Sequence, residues 1–291
     1  MSEMNSGISK AVWPFDLRSK TAEDLEKLSA RAAELAGNSP YGWGHSIPIG
    51  PHRIEGILGE QYLVIARLLD NWGWWPSDMA GLEVADVGCF SGGLTAMMSS
   101  RGAQKIYAVD EIAPHLDQCR FVKQIFGLEN VECIEASAYD LRRHIAPGRL
   151  DLIVLSGVLY HMSDMLVGLV AMQELLKIGG SIVIESFAVN CFEHSYANFG
   201  RFVEGAWWQP TGSCIQDMCL FSGLSRPDIR FYLPDRCLAV ARKESDKKLN
   251  FRRGMNWRFD DLLDSVKRTV DHHHLSPANC SDLGQSRVFT E

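Results

Sequence analysis

The chain has 291 residues, 46% of them hydrophobic and 22% charged, with a formal net charge of -7. That size and balance suit an ordinary soluble globular protein, built as one large core with appendages or as two small domains. The acidic balance supplies no broad basic field for a phosphate backbone, which counts against a nucleic-acid partner.

No apolar run approaches the roughly 20 residues that cross a bilayer, so no membrane partner is expected. Met1 to Lys20 lacks the basic start and apolar centre of a signal peptide, and the expected location is cytoplasmic. Eight cysteines are scattered without a C-x-x-C pair, several inside apolar runs where a thiol packs as a small hydrophobe. Neither a disulfide framework nor a metal site is expected.

In chain order, Thr21 opens a Thr-x-x-Asp start, and Leu25, Leu28, Ala32 and Leu35 follow at helical spacing, which predicts an amphipathic helix to Ala36. A second helix is predicted within Glu55 to Trp74. Short β-rich runs then alternate with helix-length segments: Glu83 to Gly88, Lys105 to Asp110, Val131 to Ser137, Leu150 to Ser156 and Ser181 to Ala188. Runs that are apolar on both faces are what parallel strands covered by helices require. An irregular aromatic stretch, Cys191 to Gly212, precedes a short helix from Ser213 to Ser222. Asp228 to Asp235 and Arg236 to Lys243 are too close for a crossover helix and predict an antiparallel hairpin. The expected class is α/β: a Rossmann-like, doubly wound, seven-stranded sheet of five parallel strands plus that hairpin, with an N-terminal helical extension. The expected division is an extension or lid at 1–75, a core at 76–244 and a polar tail at 245–291 carrying one helix, Phe259 to Val270.

The stretch from Glu83 to Glu111 carries the chemistry. A strand ending in Asp86-x-Gly88 and turning through Ser91, Gly92 and Gly93 into a helix sets free backbone N–H groups beside a carboxylate. A dinucleotide fold asks for G-x-G-x-x-G, whereas this turn reads Gly88-Cys89-Phe90-Ser91-Gly92, and Asp86 would repel a pyrophosphate. A ligand with an ammonium group and no phosphate, such as S-adenosylmethionine, suits that aspartate better. Asp110, followed by Glu111, ends the next strand, where a carboxylate can take both hydroxyls of a ribose. Alternatively Asp110 caps the following helix. Ser137 and Ala138 end the third strand and are expected beside the adenine, with Ser156 at the end of the fourth.

Asp86 to Gly92, then Asp110, then Ser156-Gly157-Val158-Leu159-Tyr160-His161, then the terminal hairpin resemble the class I S-adenosylmethionine-dependent methyltransferases. Within them the chain resembles the tRNA wobble-uridine carboxymethyltransferase family and its small-molecule relatives. Gly157 to His161, Glu185, Trp207-x-x-Pro210 and the run from Arg236 to Lys243 are similar to that family's G-V-L-Y-H, L-E-T, W-x-x-P-S and R-x-x-x-x-A-R-K segments. The likeness covers roughly Tyr41 to Lys243. Two departures stand out. Phe90 replaces the middle glycine of D-x-G-x-G-x-G, which implies ordinary φ values there and an aromatic ring beside the cofactor. The family's K-G-P lysine, which holds the extra carboxylate of a modified cofactor, is matched by Ile49-Gly50-Pro51, leaving Arg236 as the one obvious replacement cation. The expectation is therefore plain methyl transfer from S-adenosyl-L-methionine, with S-adenosyl-L-homocysteine as product.

Methyl transfer is an in-line displacement, so the protein's task is to hold the acceptor lone pair about 3 Å from the methyl and exclude water. The resemblance places Tyr160 near the sulfonium. His161 is the expected general base, with a helix-capping role as the alternative. Glu185 is expected either to bind an acceptor amine or to orient His161, or else to hold the following loop. A small-molecule acceptor is expected against Trp43, His45, Tyr196, Arg201, Trp207 and Arg236. His272, His273 and His274 point in different directions on a helix end and read as a solvated tail. The N-terminal helix has two uses open to it, as a lid over its own site or as a dock for a second copy in a homo-oligomer.

Overall fold

The structure is a computed structural model describing residues 12–17, 19–200 and 205–246. Arg201, the helix expected at Phe259 to Val270 and the three consecutive histidines lie outside the described residues. The elements are α1 (Ala22–Gly37), β1 (Ile47–Ile49), β2 (His52–Ile54), α2 (Gln61–Trp72), β3 (Glu83–Val87), α3 (Gly93–Ser100), β4 (Lys105–Asp110), α4 (Ala113–Phe126), β5 (Val131–Glu135), β6 (Leu150–Ser156), α5 (Met165–Leu175), β7 (Leu176–Phe187), β8 (Ala197–Phe199), β9 (Trp208–Pro210), α6 (Gly212–Phe221), β10 (Asp228–Leu233) and β11 (Arg236–Arg242). Seven strands form one sheet in the order β10-β11-β7-β6-β3-β4-β5. Five of them are the predicted parallel strands, and β10 and β11 are the predicted hairpin. By packing, the chain forms two compact units, Met1–Ala136 and Ser137–Glu291.

In the first unit, α1 begins at a reciprocal capping box: Thr21 Oγ1 accepts from the Asp24 N–H, and Asp24 Oδ2 accepts from the Thr21 N–H, both at 3.1 Å. Such a cap contributes about 1 kcal/mol. The helix then buries Leu25, Ala32 and Leu35, the stripe that its spacing predicts. α2 buries Tyr62, Leu63, Ile65, Ala66 and Leu69 and stops at Gly73, whose left-handed backbone closes the helix end. β3, β4 and β5 pair in parallel, with Asp86 opposite Ala108 and Asp110 opposite Glu135. Val84, Ala85, Ile106 and Ala108 are fully buried. The small hairpin of β1 and β2, not predicted, turns at Gly50 and Pro51.

In the second unit, β6 and β7 pair in parallel, β11 runs antiparallel to β7, and β10 runs antiparallel to β11. Ile153, Val154, Leu155, Ile182, Val183 and Ile184 are fully buried. Each such side chain contributes about 1.5 to 3 kcal/mol through burial. β7 starts at Leu176, five residues ahead of the run that its β-branched residues mark. The aromatic stretch predicted as irregular contains a second unpredicted pair, with β8 antiparallel to β9 and Phe199 opposite Trp208.

Candidate active site

The turn after β3 is shaped by three residues with positive φ: Gly88 at 76°, Phe90 at 49° and Gly92 at 82°. Gly88 and Cys89 both donate their N–H groups to the Val109 carbonyl, at 2.8 and 3.0 Å, which lays the turn across the end of β4. Phe90 is a correction to the expectation of ordinary φ. A left-handed residue with a side chain costs roughly 1 to 2 kcal/mol, and three contacts offset that cost. Asp110 Oδ2 accepts from the Phe90 N–H at 3.0 Å. The Phe90 ring stacks on His115 at 3.7 Å between centroids and 18° between planes. It also fills the space over Gly44, where an added β-carbon would overlap the ring.

Asp86 does not present an open charge to the turn as expected. It is 1% exposed, and its Oδ2 accepts the Thr95 hydroxyl at 2.5 Å. Burial raises its pKa to about 6. Asp110, 7% exposed, does cap the start of the next helix: Oδ1 accepts from the Ile112 N–H at 3.0 Å and lies 3.3 Å from His115 Nδ1. Both expected roles of Asp110 are compatible, because each carboxylate oxygen has a further lone pair. Glu111 is exposed. Cys89 is buried beneath the turn.

Trp43 and His45, expected against the acceptor, are buried in the first unit. Trp43 Nε1 donates to the His45 carbonyl at 2.7 Å, and its ring meets Phe121 edge-on. Their segment is bracketed by the Gln118 side chain, which accepts from the Gly44 N–H at 3.1 Å and donates to the Gly42 carbonyl at 2.8 Å. Sequence reasoning passed over Gly44, His115 and Gln118, since none belongs to a motif and only packing brings them to the turn.

These residues fit S-adenosylmethionine. A buried carboxylate with a raised pKa is one that a nearby ammonium would return to its ionised form. Asp110 is held in place with lone pairs to spare for a ribose. His115 Nε2 is buried with no hydrogen-bond partner, an atom still lacking one among the described residues.

In the second unit, Ser137, Ala138 and Ser156 are half-buried, and Ser156 stands opposite Glu185 in the pairing of β6 with β7. Gly157, at φ 73°, turns the chain into a single 3-10 turn, Leu159–His161. Tyr160 is 6% exposed and packs edge-on against Phe187. His161 Nδ1 donates to the Gly205 carbonyl at 2.8 Å, because a carbonyl can only accept. Its tautomer is thereby fixed with the lone pair on Nε2, and burial lowers its pKa.

Glu185 is held by the hairpin. Its oxygens take Arg236 Nε at 2.7 Å and Arg236 Nη2 at 2.8 Å, and Oε1 also accepts the Tyr232 hydroxyl at 2.7 Å. The guanidinium lies over the Phe187 ring at 4.7 Å and the Tyr160 ring at 5.6 Å. Trp207, half-buried, donates its backbone N–H to the Tyr160 carbonyl at 2.8 Å, tying the aromatic stretch to the turn that carries His161. Tyr196 is 45% exposed, and among the described residues only its backbone is bonded, to Thr211. Tyr232 was missed because a tyrosine on an edge strand carries no signal of its own until the hairpin register is known.

Residues 78–216 match a family model described as a methyltransferase domain. A tRNA U34 carboxymethyltransferase of Sulfurovum sp. (strain NBC37-1) is 24% identical over 164 residues, which are 52% of this chain and 50% of that protein. Another, from Idiomarina loihiensis, is 26% identical over 183 residues, 57% of this chain and 52% of that protein. The chain thus spans about half the length of the curated relatives it matches. The N-terminal domain of EvdMO1, crystallised in the presence of SAH and D-fucose, has the same fold: TM-score 0.60, 16% identity, covering 77% of this chain and 100% of that one. With the seven-stranded order, the Asp-x-Gly turn after β3 and the acid at the end of β4, residues 78–216 are a methyltransferase domain of the class I, S-adenosylmethionine-dependent kind.

Proposed function

We propose that this chain transfers the methyl group of S-adenosyl-L-methionine to a small-molecule acceptor, with His161 as general base. The observation that carries this reading is the hydrogen bond from His161 Nδ1 to the Gly205 carbonyl, which leaves Nε2 as a neutral, hydrogen-free acceptor. Bound cofactor supplies an electrophilic methyl on a sulfonium. Asp110 would hold the ribose and Asp86 would support the ammonium through the turn. Tyr160, its ring 4.2 Å from that of His161, would face the sulfonium and help exclude water. His161 Nε2 would take the proton of an O–H or N–H acceptor.

Unmodified cofactor is supported by the pairing of Arg236. An added carboxylate needs a cation, and this one is already neutralised by Glu185. A second reading, modification of tRNA, draws on the names of the relatives. The α1–α4 groove of the first unit, about 660 Å³, is lined by Lys20, Lys27, Arg31 and Arg120. Lys27, Arg31 and Arg120 are paired with Glu23, Glu34 and Asp117, so the groove offers a phosphate backbone little spare charge.

The test is mass spectrometry of the protein as purified, followed by incubation of the candidate acceptors found with it and S-adenosyl-L-methionine. Formation of S-adenosyl-L-homocysteine with a gain of about 14 daltons on a small molecule is expected. Tight, salt-sensitive tRNA binding with methyl or carboxymethyl transfer to RNA would overturn the small-molecule reading.

A further inference from the structure

A single 3-10 turn such as Leu159–His161 makes too few internal hydrogen bonds to hold a side chain in place by itself. Residues 205 to 208 supply the missing ones. The Gly205 carbonyl accepts from His161 Nδ1 at 2.8 Å, the Trp207 backbone N–H donates to the Tyr160 carbonyl at 2.8 Å, and Trp208 Nε1 donates to the Ser163 carbonyl at 3.0 Å. The Trp208 ring is itself seated edge-on against Phe199 at 4.9 Å between centroids.

Tyr139, which follows Ser137 and Ala138 in the chain, holds the exit of the turn from another side. Its hydroxyl accepts from the Asp164 N–H at 2.9 Å and lies 3.2 Å from the Asp164 carbonyl and 3.4 Å from Ser163 Oγ. The Ser163 carbonyl and the Asp164 N–H belong to one planar peptide unit and point in opposite directions. Trp208 and Tyr139 therefore grip that unit at both of its polar ends. Beyond it, Asp164 caps α5, its Oδ1 accepting from the Val167 N–H at 3.0 Å. Met162 seats its side chain in the space that a β-carbon on Gly168 would need.

We propose that Trp208 and Tyr139 are positioning residues for His161: by gripping the Ser163–Asp164 peptide they keep the turn in register with residues 205 to 208, so that the Gly205 carbonyl holds the His161 ring with Nε2 bare. This rests on the reading of His161 as general base and adds to it what fixes the base. Neither side chain acts on the acceptor. Each acts through the peptide, and His161 answers through its tautomer, since the hydrogen bond made by one ring nitrogen decides which nitrogen carries the hydrogen.

The test reads that tautomer by NMR on protein labelled with nitrogen-15 in its histidine rings, and it needs no acceptor. The His161 signal is identified by its loss in His161→Ala. His45 is the internal reference: its Nδ1 accepts from the Gly93 N–H at 3.3 Å, capping α3, so its hydrogen sits on Nε2. Wild-type His161 should carry its hydrogen on Nδ1. Tyr139→Phe removes only the hydroxyl, and Trp208→Phe keeps a ring against Phe199 but removes the N–H. Each should move part of the His161 signal to the Nε2–H form that a solvated imidazole prefers, with His45 unchanged. The double variant should shift little further than the stronger single one, because both act on one peptide. With the acceptor found by mass spectrometry, turnover should fall by about tenfold in either single variant while KM for S-adenosyl-L-methionine stays within about twofold. A His161 tautomer unchanged in both variants, or changed only where His45 changes too, overturns the proposal; Tyr139→Phe decides alone if Trp208→Phe fails to fold. A shifted tautomer with wild-type turnover leaves the positioning standing and overturns the base reading, so the two failures are distinguishable.

Discussion

The guanidinium of Arg236 meets the carboxylate of Glu185 edge to edge, Nε to Oε1 at 2.7 Å and Nη2 to Oε2 at 2.8 Å, at a place where the Glu185 side chain is 1% exposed. The pair joins β7 to β11, and removing one partner leaves the other charge buried alone. Glu185→Ala should therefore destabilise the protein by about 3 to 5 kcal/mol, read from denaturant unfolding. Loss of less than about 1 kcal/mol would mean that the pair is solvated and that Glu185 is free for the acceptor after all.

Gly44 and Phe90 are coupled in the same structural sense. The Phe90 ring occupies the space that a β-carbon at Gly44 would need. Gly44→Ala should cost about 1 to 3 kcal/mol through overpacking. Adding Phe90→Ala should recover most of that cost, because the ring that was struck is gone. A double-mutant cycle checks this; strictly additive losses would contradict the contact.

The order of strands and helices was legible because it rests on local periodicity: two-faced apolar runs for β3 to β7, and a stripe of leucines on α1. The Asp-x-Gly turn and Asp110 were legible as a motif. What stayed hidden depends on contacts between residues far apart in sequence. The left-handed Phe90 is held by Gly44, His115 and Asp110, and no single-sequence pattern announces such a set. Glu185 looked catalytic because its position at a strand end is visible, whereas its partner, 51 residues later, is set by the register of the hairpin. His45 looked like part of an acceptor pocket because a loop histidine between aromatics carries no mark of the helix end that it caps.

His161 leads to a prediction about pH. Its pKa is lowered below 6.5 by burial, so the base form persists to lower pH than in a free histidine. Turnover at saturating cofactor should fall on the acid side, with its midpoint below 6.5 rather than at it. His161→Ala should lower turnover by about a hundredfold or more, with cofactor affinity nearly unchanged and the acid limb gone. Unchanged turnover in that variant would leave positioning alone to carry the chemistry.

Stability in the absence of ligand should respond to two buried groups with opposite sign. His45 has a folded pKa of about 4 against 6.5 unfolded, so as pH falls from 6.5 to 4 the unfolded chain gains a proton first and stability is lost. Asp86 has a folded pKa of about 6 against 3.8 unfolded, so over the fall from 6 to 3.8 the folded chain gains a proton first and stability rises. The two trends largely cancel in the wild type. Asp86→Asn leaves the His45 loss uncovered and should steepen the decline between about pH 7 and 5 by about 1 to 2 kcal/mol. His45→Asn should shift the trend the other way. Denaturant melts at the two pH values measure both, and parallel curves for all three proteins would refute the assignment.

Calorimetric titration with S-adenosyl-L-methionine, repeated on Asp110→Asn, tests the central claim most directly. The wild type should bind one equivalent per chain, and the variant should bind about tenfold or more weakly, because on the proposed reading the carboxylate that holds the turn also takes the ribose. No heat with S-adenosyl-L-methionine, or binding of NAD in its place, would contradict it.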